Sequence, residues 1–361
     1  MGLKKRVDAV IDAALGSRIV GCVVLIEEAG KRVYARSAGY ADREAGIPVT
    51  ENTIFRLASV TKPIVALTTL RMIDKGLLSP DDKVADYLPY FTPRAPDGST
   101  PDILIRHLLT HTSGITYDRP PNVSSGSDPR DLIPLQENLR RFASFPLSFK
   151  PGEKWAYGMN IDVLGGVLEM VGDGARLGEV IALHTTGPLS MRDTRFNVTD
   201  RTRISTPYAD GTPEPIRMAE PQGVPNDDGG MDHYSPQRIF HPTAPQSGGS
   251  GMAGTAGDLM KLFEALRTDF LTPETQQMAY TAQTELPLDP PGRNFSFIGA
   301  VVTDAARSGW PKDGLLEWGG VWGNHWFIDP ATQTNVVVYT NTMREGCNGP
   351  FRDQMRDAVF G

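Results

Sequence analysis

The 361-residue sequence is 40% hydrophobic and 22% charged, proportions expected of a globular chain with a large core. A formal net charge of −7 repels polyanions, which excludes nucleic acid and anionic membrane surfaces as main partners and leaves small molecules. No apolar run approaches the length of a membrane span, and the start, Met1-Gly2-Leu3-Lys4-Lys5-Arg6-Val7-Asp8, becomes charged where a secretory leader is apolar, so a cytoplasmic protein is expected.

In chain order, Val7, Val10, Ile11, Ala14 and Leu15 share one side of a helix predicted over residues 3–15, with Gly16 just beyond it. Runs at 22–26 and 31–36 flank a glycine-containing turn and predict a β-hairpin. Cys22 in the first run and Cys347 near the end of the chain have no second cysteine at metal-ligand spacing and are expected as buried thiols. Ile64, Leu67, Leu70 and Ile73 then recur at helical spacing, and Gly76 follows as a C-terminal cap. Proline is tolerated only in the first turn of a helix, so Pro63 places the start of this one close to Ser59.

The Pro-, Asp- and Gly-punctuated stretch 78–151 carries short predicted helices at 105–110 and 135–142, and another is expected at 161–171. His107 and His111 are four apart but lack the acidic residue of a zinc-protease motif between them, so packing or capping roles are expected and no metal or cofactor. Residues 206–249 are dense in Pro, Gly, Asp and Gln, with Tyr208, Met218, Tyr234, Phe240 and His241 interleaved. A loop of that length carrying such side chains is read as a lid. A helix at 256–266, strands near 295–302, 315–319, 325–328 and 335–340, and a helix at 351–359 complete the chain. This order makes the first strands pair with the last. The expected fold is α+β: an antiparallel central sheet flanked by helices, built from 1–77 plus 250–361, with an adjoining mostly helical lobe, 78–249, that includes the lid. The helix after Ser59 lies between them, where a cleft should open.

Ser59-Val60-Thr61-Lys62 puts a hydroxyl and an ammonium three residues apart on one helix face, at a helix N-terminus that favours developing negative charge. A serine needs such a base to become a nucleophile. Gly248-Gly249-Ser250-Gly251-Met252 fails the Gly-x-Ser-x-Gly elbow at its last glycine, so an α/β-hydrolase triad is not expected. The base must come from elsewhere, with Lys62 and the phenol of Tyr157 as the candidates. Ser-x-x-Lys alone is a weak signal, expected by chance about half a time in a chain of this composition.

Further blocks strengthen it. Phe55-Arg56-Leu57-Ala58-Ser59-Val60-Thr61-Lys62, Ile105-Arg106-His107-Leu108-Leu109-Thr110-His111-Thr112-Ser113-Gly114, the Pro151-Gly152-Glu153-Lys154-Trp155-Ala156-Tyr157 stretch, Gly248-Gly249-Ser250-Gly251-Met252-Ala253-Gly254-Thr255 and Glu317-Trp318-Gly319-Gly320-Val321 occur in an order that resembles the serine β-lactamase and penicillin-binding superfamily. The resemblance is to its class C β-lactamase-like branch, and within that to the family VIII carboxylesterases. It implies a β-lactamase-like fold with Ser59 as the acylated nucleophile, Lys62 as its proton acceptor and electrostatic partner, and Tyr157 as the acid/base. It also implies an oxyanion hole formed by the backbone N–H groups of Ser59 and Val321, with Trp318, Gly319, Gly320, Met159 and Asn160 beside the substrate.

Two departures bear on the substrate. Trp318-Gly319-Gly320 stands where lactamases and transpeptidases of this branch usually carry Lys-Thr-Gly, so the cation that helps hold a substrate carboxylate is missing and neutral esters fit better. The Asn expected two residues after Tyr157 is Met159, with Asn160 one place late. A carboxylesterase acting on a small-molecule ester is therefore expected. A β-lactamase or D-Ala-directed peptidase using the same Ser, Lys and Tyr is the alternative; a natural-product acyltransferase, a hydrolase with a dedicated lactone or carbamate substrate, and a catalytically silent binding or scaffold protein are further rivals. Oligomeric state is not legible.

Overall fold

The computed structural model describes residues 1–128, 132–225 and 230–361, so parts of the predicted lobe (129–131) and lid (226–229) lie outside the described residues. An antiparallel eight-stranded sheet runs in the order Arg293–Phe295, Ala300–Val302, Leu316–Gly320, Asn324–Asp329, Thr334–Thr340, Gly21–Glu28, Lys31–Asp42, Ile47–Pro48. The first hairpin turns at Ala29 and Gly30, with φ of 48° and 77°, a pair of left-handed residues whose twist suits a two-residue connection. Its first strand pairs with the last, Cys22 opposite Thr340 and Ile26 opposite Val336, so the two ends of the chain meet in the sheet as expected.

Alternation along the strands sends Cys22, Val24 and Ile26 to one face with Val336 and Val338, beneath the helices Leu3–Ala14 and Pro350–Phe360. Val23 and Leu25 face the opposite side with Trp326, Val337 and Tyr339, packed on Leu259 and Phe263 of the helix Ala256–Arg267. With both faces covered, the run 22–26 reads as continuously apolar rather than alternating.

The helix after Ser59 spans Thr61–Asp74 and is buried on every side from Thr61 to Leu70, deeper than the one-sided stripe predicted. It ends as anticipated at Gly76, where Leu77 N–H donates to Met72 C=O at 3.0 Å and Gly76 N–H to Ile73 C=O at 2.8 Å, a Schellman cap with Gly76 at φ 66°. One apolar cluster joins this helix and the sheet to Ile105–Leu109, Leu135–Phe142 and Asn160–Val171, so the sheet and the helical lobe share a core.

Some elements differ from expectation. The strand predicted over 295–302 is two short strands, because Ser296 closes a turn: its N–H donates to Gly299 C=O, and its Oγ accepts from the N–H groups of Ile298 and Gly299. The lid is not an unstructured loop. It carries two small hairpins, Tyr208–Ala209 with Ile216–Arg217 and Gln222–Pro225 with Met231–Tyr234. Cys22 is buried, but Cys347 is only half-buried. No helix among the described residues is long and apolar enough to cross a membrane.

Candidate active site

The short strand Phe55–Arg56 pairs with Ala253–Gly254 and delivers the chain into a 3-10 turn, Ala58–Val60, that runs directly into the helix Thr61–Asp74. Ala58 takes φ 44°, a left-handed conformation costing about 1–2 kcal/mol for an L-residue. Contacts on several sides hold it there. Leu57 N–H donates to Met252 C=O at 2.9 Å, and Asn324 Nδ2 donates to Arg56 C=O at 2.6 Å. A Cβ on Gly320 would fall 2.1 Å from Leu57 O and 3.3 Å from Ser59 N. Gly320 is therefore glycine because the sheet strand abuts the backbone of Leu57 and Ser59. Backbone contact alone accounts for this glycine, which the resemblance places beside the substrate. The same contact sets the Ser59 amide beside the turn that begins at Val321.

Lys62 is 4% exposed and directs its ammonium to three acceptors: Gly249 O at 2.8 Å, Ser59 Oγ at 3.2 Å and Tyr117 OH at 3.4 Å. Those match the three donors an ammonium carries. The Nζ also lies 4.5 Å from the centre of the Tyr157 ring, a cation–π contact. Tyr157 OH accepts from Trp318 Nε1 at 3.1 Å, so its own proton is available to a group in the cavity. Its ring packs on His111 (4.7 Å), Trp318 (5.1 Å) and Tyr117 (5.5 Å). Loss of solvent, with Tyr157 and Asp162 adding to it, pushes the Tyr117 phenol well above its usual range. Burial, helped by the charge of Lys62, holds His111 well below the usual histidine range, so its imidazole is neutral.

Ser59, Tyr117, Tyr157 and Val321 share the wall of a cavity of about 640 Å3. Its outer part is formed by Asp118, Arg119 and Asp128 of one loop, the lid strand Met231–Tyr234, and Arg344. The lid hairpin is held down from below: Tyr234 meets the Trp322 ring at 5.7 Å, and the buried Arg56 guanidinium donates to Pro236 O at 2.6 and 3.0 Å and to Ser205 O at 2.8 Å. Burial lowers the Arg56 guanidinium to about 10.

The structure thus gathers Ser59, Lys62, Tyr157 and the Val321 turn, but not every residue expected beside a substrate. Met159 is wholly buried in the core, and Asn160 is spent on Ser113 Oγ at 2.5 Å, His111 Nδ1 at 3.1 Å and Ile115 O at 3.1 Å. The helix begins at Asn160, which turns both side chains inward. Trp318 contacts the Tyr157 hydroxyl, and Gly319 sits over Cys347, where a Cβ would fall 3.0 Å from its sulfur. His107 caps its own helix by accepting the Leu104 N–H at 3.1 Å, a structural role like that expected. Tyr117 was not anticipated. Its nearest sequence signal is its place three residues after the His111-Thr112-Ser113-Gly114 block.

A serine, a lysine and a tyrosine converging between an antiparallel sheet and a helical lobe define a class, and sequence comparison agrees with it. The beta-lactamase family model matches residues 7–359, and the chain belongs to that family. It is 44% identical to Esterase EstB of Burkholderia gladioli, across 99% of this chain and 95% of that relative. Among solved structures, it is similar to EstCE1, described as a hydrolase with promiscuous acyltransferase activity (TM-score 0.95, 39% identity, 99% of this chain and 98% of that one). Unliganded simvastatin synthase LovD from Aspergillus terreus (TM-score 0.74, 21% identity, 100% and 98% covered) shares the fold.

Proposed function

We propose that the protein is a serine carboxylesterase that cleaves small acyl esters through an acyl-enzyme on Ser59. The observation that carries the reading is the Lys62 ammonium, 3.2 Å from Ser59 Oγ and against the Tyr157 ring. Similarity to an esterase over nearly the whole chain supports the substrate class. So does Trp318-Gly319-Gly320, which supplies no cation for a substrate carboxylate.

In this reading Lys62 acts as the neutral amine: it takes the proton of Ser59 Oγ as that oxygen attacks the ester carbonyl, the ammonium so formed returns it to Ser59 Oγ when the acid leaves, and the oxyanion is stabilised by the Ser59 and Val321 N–H groups. Backbone donors of this kind are worth about 3–4 kcal/mol to a transition state. Tyr157 gives its proton to the departing alkoxide and then draws one from the water that releases the acid. The sheet part, 1–77 plus 250–361, supplies Ser59, Lys62 and Val321; the lobe, 78–249, supplies Tyr157, Tyr117 and the lid. The partner is a small molecule.

Ser59→Ala, assayed with a short-chain nitrophenyl ester, tests the reading. Turnover should fall to background, and a fluorophosphonate should label Ser59 in the unsubstituted protein. Undiminished turnover would overturn the proposal. Nitrocefin turnover far above ester turnover would instead put a β-lactamase first.

A further inference from the structure

We propose that Asp162 is a positioning residue for Lys62, acting through the Gly249 peptide; the inference rests on the Ser59–Lys62 reading above. Asp162 lies in the first turn of the helix Asn160–Val171 and is 1% exposed. Its Oδ1 accepts from Ser247 Oγ, and its buried Oδ2 has no hydrogen-bond partner among the described residues. A Cβ on Gly249 would fall 2.3 Å from Oδ2, so the carboxylate and the Gly249 backbone are in direct contact. On the other side of the same residue, Gly249 O accepts from Lys62 Nζ at 2.8 Å. Gly249 therefore packs its backbone against a carboxylate oxygen on one side and turns its carbonyl to an ammonium on the other.

A buried carboxylate is costly unless paired and hydrogen-bonded. Burial raises the Asp162 carboxyl above its usual range, while Ser247, Lys62, the Gly249 N–H and Arg119 oppose that rise. The charged and titratable groups acting with it are Lys62 on the helix Thr61–Asp74, Tyr117 and Arg119 on the loop, and Arg238 in the lid segment. The cost is compensated by fixing one N–H of Lys62 on Gly249 O, which leaves the ammonium aimed at Ser59 Oγ. The block around Gly249 then has a function apart from any nucleophile elbow.

Asp162→Asn keeps the shape and the acceptor for Ser247 but removes the charge that lies against the Gly249 backbone. With a short-chain nitrophenyl ester, kcat should fall about 10–100-fold, as small misplacements of catalytic groups do, with KM changed less than about threefold. The pH–rate profile should move to lower pH, because the field favouring the ammonium form is gone. Ser247→Ala removes a hydrogen bond and leaves the charge, so its profile should keep its position. An Asp162→Asn protein with the unsubstituted rate and profile overturns the inference, as does one that slows like Ser247→Ala with no shift. If Asp162→Asn does not fold, Gly249→Ala tests the same link: a similar loss of kcat supports it and an unchanged kcat overturns it. Fluorophosphonate labelling of Ser59 in the unsubstituted protein separates the two levels. Without labelling the esterase reading fails; with labelling and an unaltered Asp162→Asn, only the role of Asp162 does.

Discussion

Tyr157→Phe separates catalysis from packing at this site. The substitution keeps the ring against Lys62 (4.5 Å), His111 (4.7 Å), Trp318 (5.1 Å) and Tyr117 (5.5 Å), and it removes the hydroxyl that accepts from Trp318 Nε1 at 3.1 Å. The structural loss is one hydrogen bond in a partly solvated place, about 1 kcal/mol of stability. If the phenol moves protons in both half-reactions, the kinetic loss is roughly two to four orders of magnitude, or about 3–5 kcal/mol of barrier. Stability and rate should therefore part company. The loss should also depend on the leaving group, since a nitrophenolate departs without a proton and an alkoxide does not. The assay compares kcat/KM for a nitrophenyl ester and an alkyl ester of the same acid, alongside a thermal melt. A loss under about tenfold on the alkyl ester, with an unchanged melt, would refute a proton-transfer role for Tyr157.

Two further outcomes are expected. His325 is fully buried, donates from Nδ1 to Gly346 O at 2.6 Å, and is held by burial down to about 3, against an ordinary 6.5. Between those values the unfolded chain binds a proton that the folded one does not, so this contribution to stability is complete above 6.5 and is lost as pH falls toward 3, at no more than about 1.4 kcal/mol per pH unit. Urea titrations at several pH values should show a flatter acid slope for His325→Asn than for the unsubstituted protein, and parallel slopes would sink the assignment. Arg56→Met should leave the Pro236 and Ser205 carbonyls without their cationic donor, costing about 2–4 kcal/mol of stability. It should also raise KM more than it lowers kcat, because the segment after the lid strand loses its anchor; an unchanged KM counts against that link.

Much of this architecture was legible because it rests on local periodicity. The Ser59 helix and its glycine cap follow from spacing, and the meeting of the first and last strands follows from the order of the elements. The helix Pro273–Tyr280 went unread although its signal was present: Thr272 accepts from the Thr275 N–H ahead of a proline at the helix start, a combination that favours an N-terminus. Spacing from Tyr157 places Met159 and Asn160 beside the substrate, but both are buried in the structure. The helix start at Asn160 rotates both side chains into the core, a consequence that counting cannot carry. Asp232 and Arg344 reach the cavity only through tertiary packing, with no pattern in the neighbouring sequence to mark them, and Tyr117 is marked only by its place after the His111 block.

The segment Phe55-Arg56-Leu57-Ala58-Ser59 does two jobs that the sequence shows only as one short block. Its backbone is fixed by Met252, Asn324 and Gly320, from three other places in the chain, while the Arg56 side chain between them grips the lid. A left-handed alanine persists only where its surroundings over-determine it, and these contacts do so at Ala58. The strain and the lid anchor are thus two consequences of one arrangement. A change that loosens the lid at Arg56 also loosens the strand leading to Ser59, so specificity and reactivity are coupled through the residues that lie between them.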